Sequence, residues 1–296
     1  MSKVVVVCHG YLGDHLFASS LAKKLLEEGH ASSVDYVVGF PQVIPLLKLN
    51  PYINNIIFDG VVTPAPQLRV QGYNKVIQLR PLSFVEQPCI EYQKLAGIIN
   101  PTPDFTIYTD KDLDNKFEKE LAPYRIAPVI AIMNNWQSKA FRFTEEEYIR
   151  GIDVPNKGYG GRVRNIPFIV SQLKERFVTI DVGAPDNITQ FQTATTLPTQ
   201  TRTLLEEASL LKNCDYFVGA EGGLANLASG VGCKTILTSD FVHQLYGWNG
   251  VIRKIKEPKL GPRYYFPNGH IDLNPYLSDE EVVKHITKII TGVENE

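Results

Sequence analysis

The feature that most constrains this chain is an alternation that runs, breaks and then restarts. "KVVVVCHG" (3–10) is a β-branched run with no polar residue between Val4 and Val7. A strand that is apolar on both faces belongs inside a parallel sheet covered by helices on either side. "YLGDHLFASSLAKKLLEEGH" (11–30) follows it. Phe17, Leu21 and Leu25 recur every four residues with Ala18, Ala22 and Leu26 beside them, which predicts an amphipathic helix ending at Gly29. "VDYVVG" (34–39) reads as a second strand. A short helix, a turn at Asn50-Pro51 and the strand "NIIFD" (55–59) come next, and "NKVIQLR" (74–80) reads as another buried strand.

The pattern weakens between residues 85 and 125, where only "FEKEL" (117–121) looks helical. Pro123 and Pro128 bracket a predicted hinge. "PVIAIMNN" (128–135) then starts a new buried strand. Helix "FIVSQLKERF", strand "VTIDVG", helix "TLLEEASLLKNC", strand "DYFVG", helix "GLANLASGVG" and strand "KTILTS" follow in turn. An alternation that restarts implies a second α/β domain. The expected division is 1–125 and 126–277, each a Rossmann-like doubly wound α/β unit, with a helix over 278–296. That helix opens with the capping box Ser278-x-x-Glu281. Val282, Val283, Ile286, Ile289 and Ile290 line one of its faces. "NKGYGGRVR" (156–164) reads as an exposed loop.

Composition removes several classes. With 44% hydrophobic and 21% charged residues the chain is an ordinary globular one, and a net charge of -2 offers no broad field for nucleic acid or anionic lipid. No apolar run reaches membrane-spanning length, and the run before His9 is too short for a signal peptide. Cys8, Cys89, Cys214 and Cys233 are far apart without a CxxC pair, so neither a zinc site nor a redox pair is indicated. A reducing, cytoplasmic setting fits them.

Three stretches lie where chemistry is expected, just past strand ends. In "HGYLGDHLF", Gly10 and Gly13 permit close backbone approach and Asp14 stands at the helix start. There it suits a helix cap as well as a catalytic carboxylate. The spacing is not GxGxxG. In "MNNWQSKAFRF" (133–143), Lys139 and Arg142 lie three apart, which suits phosphate oxygens and also two solvated charges. In "DYFVGAEGGLANLASGVG" (215–232), Gly222 and Gly223 leave N–H groups unpaired at a helix N-terminus, where the dipole favours an anion. The same glycines also suit a plain tight turn. Asp110-x-Asp112-x-Asp114 begins like a calcium loop, but Asn115 and Leu121 break that pattern. Asp112-Leu113-Asp114 spells a DxD at the start of a polar helix, away from the strand ends, and no metal site is expected there.

Taken in order, these pieces resemble one family, the heptosyltransferases of glycosyltransferase family nine, which have the two-domain B fold. The family opens strand–"S-x-G-D"–helix, and "YLGDHLFASSLAKKLL" follows that pattern. Its "NPYVDRVI" is matched by "NPYINNIIFD" (50–59). Its "G-A-S-x-x-x-K-x-W-P" is resembled by "MNNWQSKAFR". Its "P-D-T-G-x-x-H-L-A-A-A-L-G" runs without a gap beside "AEGGLANLASGVG" (220–232). Here Tyr11 stands for the family's serine, Glu221 for its aspartate, Gly222 for its threonine and Asn226 for its histidine. Phe141-Arg142 replaces Trp-Pro. The resemblance is that of a distant member, so the family's heptose and lipopolysaccharide do not carry over.

The resemblance implies inverting sugar transfer from a nucleotide diphosphate sugar to a glycan or other hydroxyl acceptor. It implies no metal or cofactor beyond that co-substrate, and a nucleic-acid acceptor is disfavoured by the charge. It makes Asp14 the general base and puts Lys139 on the diphosphate. Ser138, Arg142, Glu221, Gly222, Gly223 and Asn226 fall on the donor side. Tyr11, Gly13, His15 and Arg80 become acceptor-side candidates, and the C-terminal helix is expected to cross back onto the first domain. A nucleotide-sugar epimerase and a non-catalytic nucleotide-binding module fit the same scaffold and stay open at this point.

Overall fold

The computed structural model describes residues 2–10, 12–58, 67–68, 71–79, 88–103, 105–133, 159–160, 165–183, 202–220, 222–241, 270–273 and 277–293. Its first sheet is parallel. Strands β1 (Lys3–Cys8), β2 (Ser33–Val38), β3 (Asn55–Phe58) and β4 (Lys75–Gln78) lie in the order β3-β2-β1-β4. Val4 to Val7 are 2% exposed or less, as the unbroken run predicted. One polar group is buried within β2. Asp35 accepts from Tyr73 Oη at 2.7 Å and Asn54 Nδ2 at 2.8 Å and pairs with Lys3 Nζ at 3.0 Å. Burial alone would raise its pKa, but these three partners outweigh it and hold the carboxyl below the usual value.

Helix α1 (Leu12–Glu27) follows β1, and the four-residue helix α2 (Ile44–Leu47) precedes β3. Helix α3 (Pro88–Ala96) occupies the stretch where the sequence pattern fades, and it packs on α1. Helix α4 (Lys111–Leu121) is capped by Asp110, whose carboxylate accepts from the backbone N–H groups of Asp112 and Leu113. A 3-10 turn over Ala122–Tyr124 leads to the second sheet.

That sheet contains β5 (Val129–Met133), β7 (Val178–Val182), β8 (Tyr216–Ala220), β9 (Lys234–Phe241) and β10 (His270–Asp272), parallel in the order β10-β9-β8-β5-β7. The two-residue β6 (Tyr159–Gly160) pairs antiparallel with β9. The stretch read as an exposed loop therefore contains a strand contact, and its other residues lie outside the described set. Helices α5 (Ile166–Leu173), α6 (Leu204–Lys212), α7 (Gly223–Gly230) and α8 (Asp279–Thr291) complete the unit. Capping boxes Thr203–Glu206 and Ser278–Glu281 start α6 and α8.

Helix α8 does not cross back onto the first sheet. Val282 and Ile286 join Ile130, Ile132, Ile169 and Val218 in a cluster on one face of the second sheet, with α8 against α5. Its apolar stripe is satisfied by the nearest uncovered face, which leaves nothing to bury elsewhere. The largest cluster is continuous across the molecule. It joins Val4, Leu16 and Leu21 to Val129, Ile180, Ala225 and Leu227. Helices α1 and α7 pack directly on each other, so both sheets share one core at this point.

Candidate active site

Each sheet reverses its winding at its first strand. In the first, β2 and β3 extend to one side of β1 and β4 lies on the other. In the second, β7 lies on one side of β5 and β8 on the other. Ligands of doubly wound sheets bind beyond the carboxyl ends of strands at such switch points. Helix α1 leaves β1, and α7 leaves β8, at these positions, and their first turns meet.

The meeting is a reciprocal glycine contact. A Cβ on Gly13 would come within 2.6 Å of Asn226 Nδ2, and one on Gly223 would come within 2.9 Å of Leu12 Cδ2. Each helix start thus presents a bare backbone to a side chain of the other. Gly222 differs from both. It is the N-cap of α7 with φ +156°, a region that favours glycine, and among the described residues a Cβ there would meet nothing within 4 Å. No described residue fills the space at the N-terminus of α7, where the first N–H groups of a helix attract an anion. Gly223, expected to line that space, packs on Leu12 instead. Asn226 is 4% exposed and its Oδ1 has no hydrogen-bond partner.

Asp14 lies inside the first turn of α1 and is half-buried. Its Oδ1 accepts a hydrogen bond from Tyr92 Oη of α3 at 2.9 Å. On its other side is Gly10, where a Cβ would collide with the carboxylate. Tyr92 is 1% exposed; burial and then the Asp14 charge raise its pKa, so the phenol stays a donor. Sequence reasoning missed Tyr92. It belongs to no motif, and its helix lies in the stretch with the weakest periodicity. Cys8 ends β1 beneath this turn. Burial pushes its thiol up to about 12, with the Asp14 charge adding and the Gly10 backbone and Tyr36 opposing, so it is not a thiolate nucleophile.

His15 is not an acceptor-side residue. One position past Asp14 turns its side chain about 100° around the helix, into the first unit, where it is 0% exposed. Its ring lies 6.1 Å from that of Tyr36 and 6.4 Å from that of Phe40. Neither ring nitrogen makes a well-formed hydrogen bond, although the Gly10 backbone lies near enough to favour protonation slightly. Burial, then the nearby His9 ring, lowers its pKa to about 4.

The structure thus brings Gly13 against Asn226 and Gly223 against Leu12, with Asp14 and Gly222 as their chain neighbours, and sends His15 to the interior. Tyr11, Arg80, Ser138, Lys139, Arg142 and Glu221 lie outside the described residues. In the DxD of α4, Asp114 pairs with Lys212 at 2.6 Å. Among the described residues no cluster of three or more His, Cys, Asp or Glu side chains could hold a metal. No described helix is long and apolar enough to cross a membrane.

A second buried charged group ends β7. Arg202 Nη1 donates to the Asp181 carbonyl at 3.0 Å and lies 3.7 Å from Glu207 Oε1, which also accepts from Gly183 N at 3.4 Å. Burial outweighs Arg202 and raises the Glu207 carboxyl to about 7, with Asp181 contributing.

The same architecture occurs in solved structures. A family 9 glycosyl transferase from Veillonella parvula superposes with a TM-score of 0.66 at 14% identity, covering 99% of this chain and 98% of that one. The chain has the glycosyltransferase B fold. ADP-heptose lps heptosyltransferase II of Escherichia coli gives 0.58 at 13% identity, over 99% of both chains. Escherichia coli heptosyltransferase WaaC with ADP gives 0.54 at 12% identity, over 97% of this chain and 99% of that one. No family model and no curated protein matches the sequence itself.

Proposed function

We propose that the chain moves a sugar, with inversion, from a nucleotide diphosphate sugar to an acceptor hydroxyl, without a required metal or other cofactor. One observation carries this reading. The helix starts that carry the carboxylate Asp14 and the cap Gly222 come from the switch points of two different sheets and touch through Leu12, Gly13, Gly223 and Asn226. Inverting transfer needs both. The acceptor O–H gives its proton to Asp14 as its oxygen bonds to the anomeric carbon. The bond from that carbon to the diphosphate breaks, and the departing charge falls to N–H groups at the start of α7 and to Lys139. Glu221, an acceptor only, suits ribose or sugar hydroxyls better than phosphate. The acceptor is a glycan or another hydroxyl compound, and the near-neutral chain disfavours nucleic acid. A cytoplasmic enzyme fits the scattered thiols.

Solved neighbours crystallised with ADP and with ADP-2-deoxy-2-fluoro heptose make adenine nucleotides the first donors to try. Calorimetric titration of ADP, UDP, GDP and CDP is expected to show one tight ligand, bound equally by the Asp14→Asn variant. Turnover of that variant with the matching donor is expected to fall roughly 10²–10⁴-fold. If no nucleoside diphosphate binds, or if Asp14→Asn turns over normally, the proposal is wrong.

A further inference from the structure

Asp14 is held by a residue that no motif predicts. Tyr92 donates its phenolic hydrogen to Asp14 Oδ1 at 2.9 Å from a position 1% exposed to solvent. It comes from α3, which lies against α1 and is itself clamped. Gln93 Nε2 donates to the Thr102 carbonyl at 2.9 Å, and Thr102 N donates back to Gln93 Oε1 at 2.8 Å. Cys89 Sγ donates to the Pro103 carbonyl at 3.0 Å. The phenol therefore sits on a helix tied to the segment at Thr102 and Pro103 by three hydrogen bonds. Gly10, with no side chain, leaves the room in which the carboxylate stands.

We infer that Tyr92 is the positioning residue of the base, fixing the orientation of the Asp14 carboxylate through its hydrogen bond to Oδ1. A hydrogen bond donated to a carboxylate stabilises the anion, and rigid support of a reacting group removes unproductive rotamers. The role deepens the transferase reading and rests on it. Tyr92, 1% exposed, acts through Asp14.

The test uses the full chain labelled with ¹³Cγ aspartate, with the Asp14 signal assigned by its loss in Asp14→Asn. In Tyr92→Phe, which keeps the ring and removes only the hydroxyl, the midpoint of that signal's pH titration is expected to move to higher pH, since a donated hydrogen bond to the carboxylate is lost. Replacing Tyr92 by 3-fluorotyrosine, a stronger donor of the same shape, is expected to move it the other way. With donor and acceptor supplied, kcat of Tyr92→Phe is expected to fall about 10-fold at the acid end of the profile and recover as pH rises, with donor KM unchanged. A purely structural tyrosine would lower the melting temperature and leave the titration midpoint in place, and that result overturns the inference. The titration needs no acceptor, so it separates the two ideas. Full turnover by Asp14→Asn sinks the transferase reading, whereas an unmoved midpoint in Tyr92→Phe sinks only the role of the phenol.

Discussion

Two buried groups should pull the pH dependence of stability in opposite directions. Folded His15 titrates at about 4 against an ordinary 6.5. An unfolded chain therefore binds a proton that the folded one refuses, and stability falls as pH drops from 6.5 towards 4. Folded Glu207 titrates at about 7 against an ordinary 4.5. Here the folded chain holds a proton that the unfolded one has released, and stability falls as pH rises from 4.5 towards 7. His15 is 0% exposed and Glu207 4% exposed, so screening by solvent removes little of either effect. From about pH 7.5 to about pH 5, His15 costs about 2 kcal/mol while Glu207 returns about 2 kcal/mol. The two slopes nearly cancel in the wild-type chain, and each variant uncovers the other. Urea unfolding at several pH values across that range is the assay. His15→Leu is expected to gain about 2 kcal/mol on acidification relative to wild type, and Glu207→Gln to lose about as much. A constant offset in either variant shifts its whole curve and does not matter, since only the slope is compared. If the His15→Leu curve runs parallel to wild type, the imidazole is not buried neutral and the argument fails.

The two glycines at the start of α7 should respond differently. Gly223→Ala places a Cβ against the Leu12 side chain, 2.9 Å from Cδ2 and 3.1 Å from Cβ. It should cost about 1–3 kcal/mol by prying α1 from α7, and an unchanged denaturation midpoint would contradict the contact. Gly222→Ala meets no atom of the described residues, yet φ is +156°. Its stability cost should be conformational only, roughly 1–3 kcal/mol, and nucleoside diphosphate affinity should fall with it. Full affinity in Gly222→Ala would remove that residue from the ligand site.

Much of the architecture was legible because burial on both faces leaves a one-dimensional trace. Val4–Val7 and Val129–Met133 are continuous apolar runs, as expected of strands in a parallel sheet under helices. The cap Ser278 is local chemistry and was equally readable. Gly13, Asp14, Gly222 and Gly223 could be nominated because strand-to-helix junctions carry ligands and glycines there have few other uses. What the sequence could not hold was anything that depends on distance between remote residues. Helix α3 has weak periodicity because it is held by polar clamps at Gln93 and Thr102 as well as by apolar burial. Its Tyr92 is 78 positions from Asp14 along the chain.

The chain by itself determined the two sheets, the helices that cover them and the junctions where a ligand belongs, because these follow from local hydrophobic period and turn chemistry. Only tertiary structure decided that Gly223 meets Leu12, that His15 turns inward, that α8 stays on its own sheet, and that a phenol from a fading stretch of pattern grips the carboxylate. Those outcomes are set by which faces are left uncovered after the strands pair, and no local pattern records which face that will be.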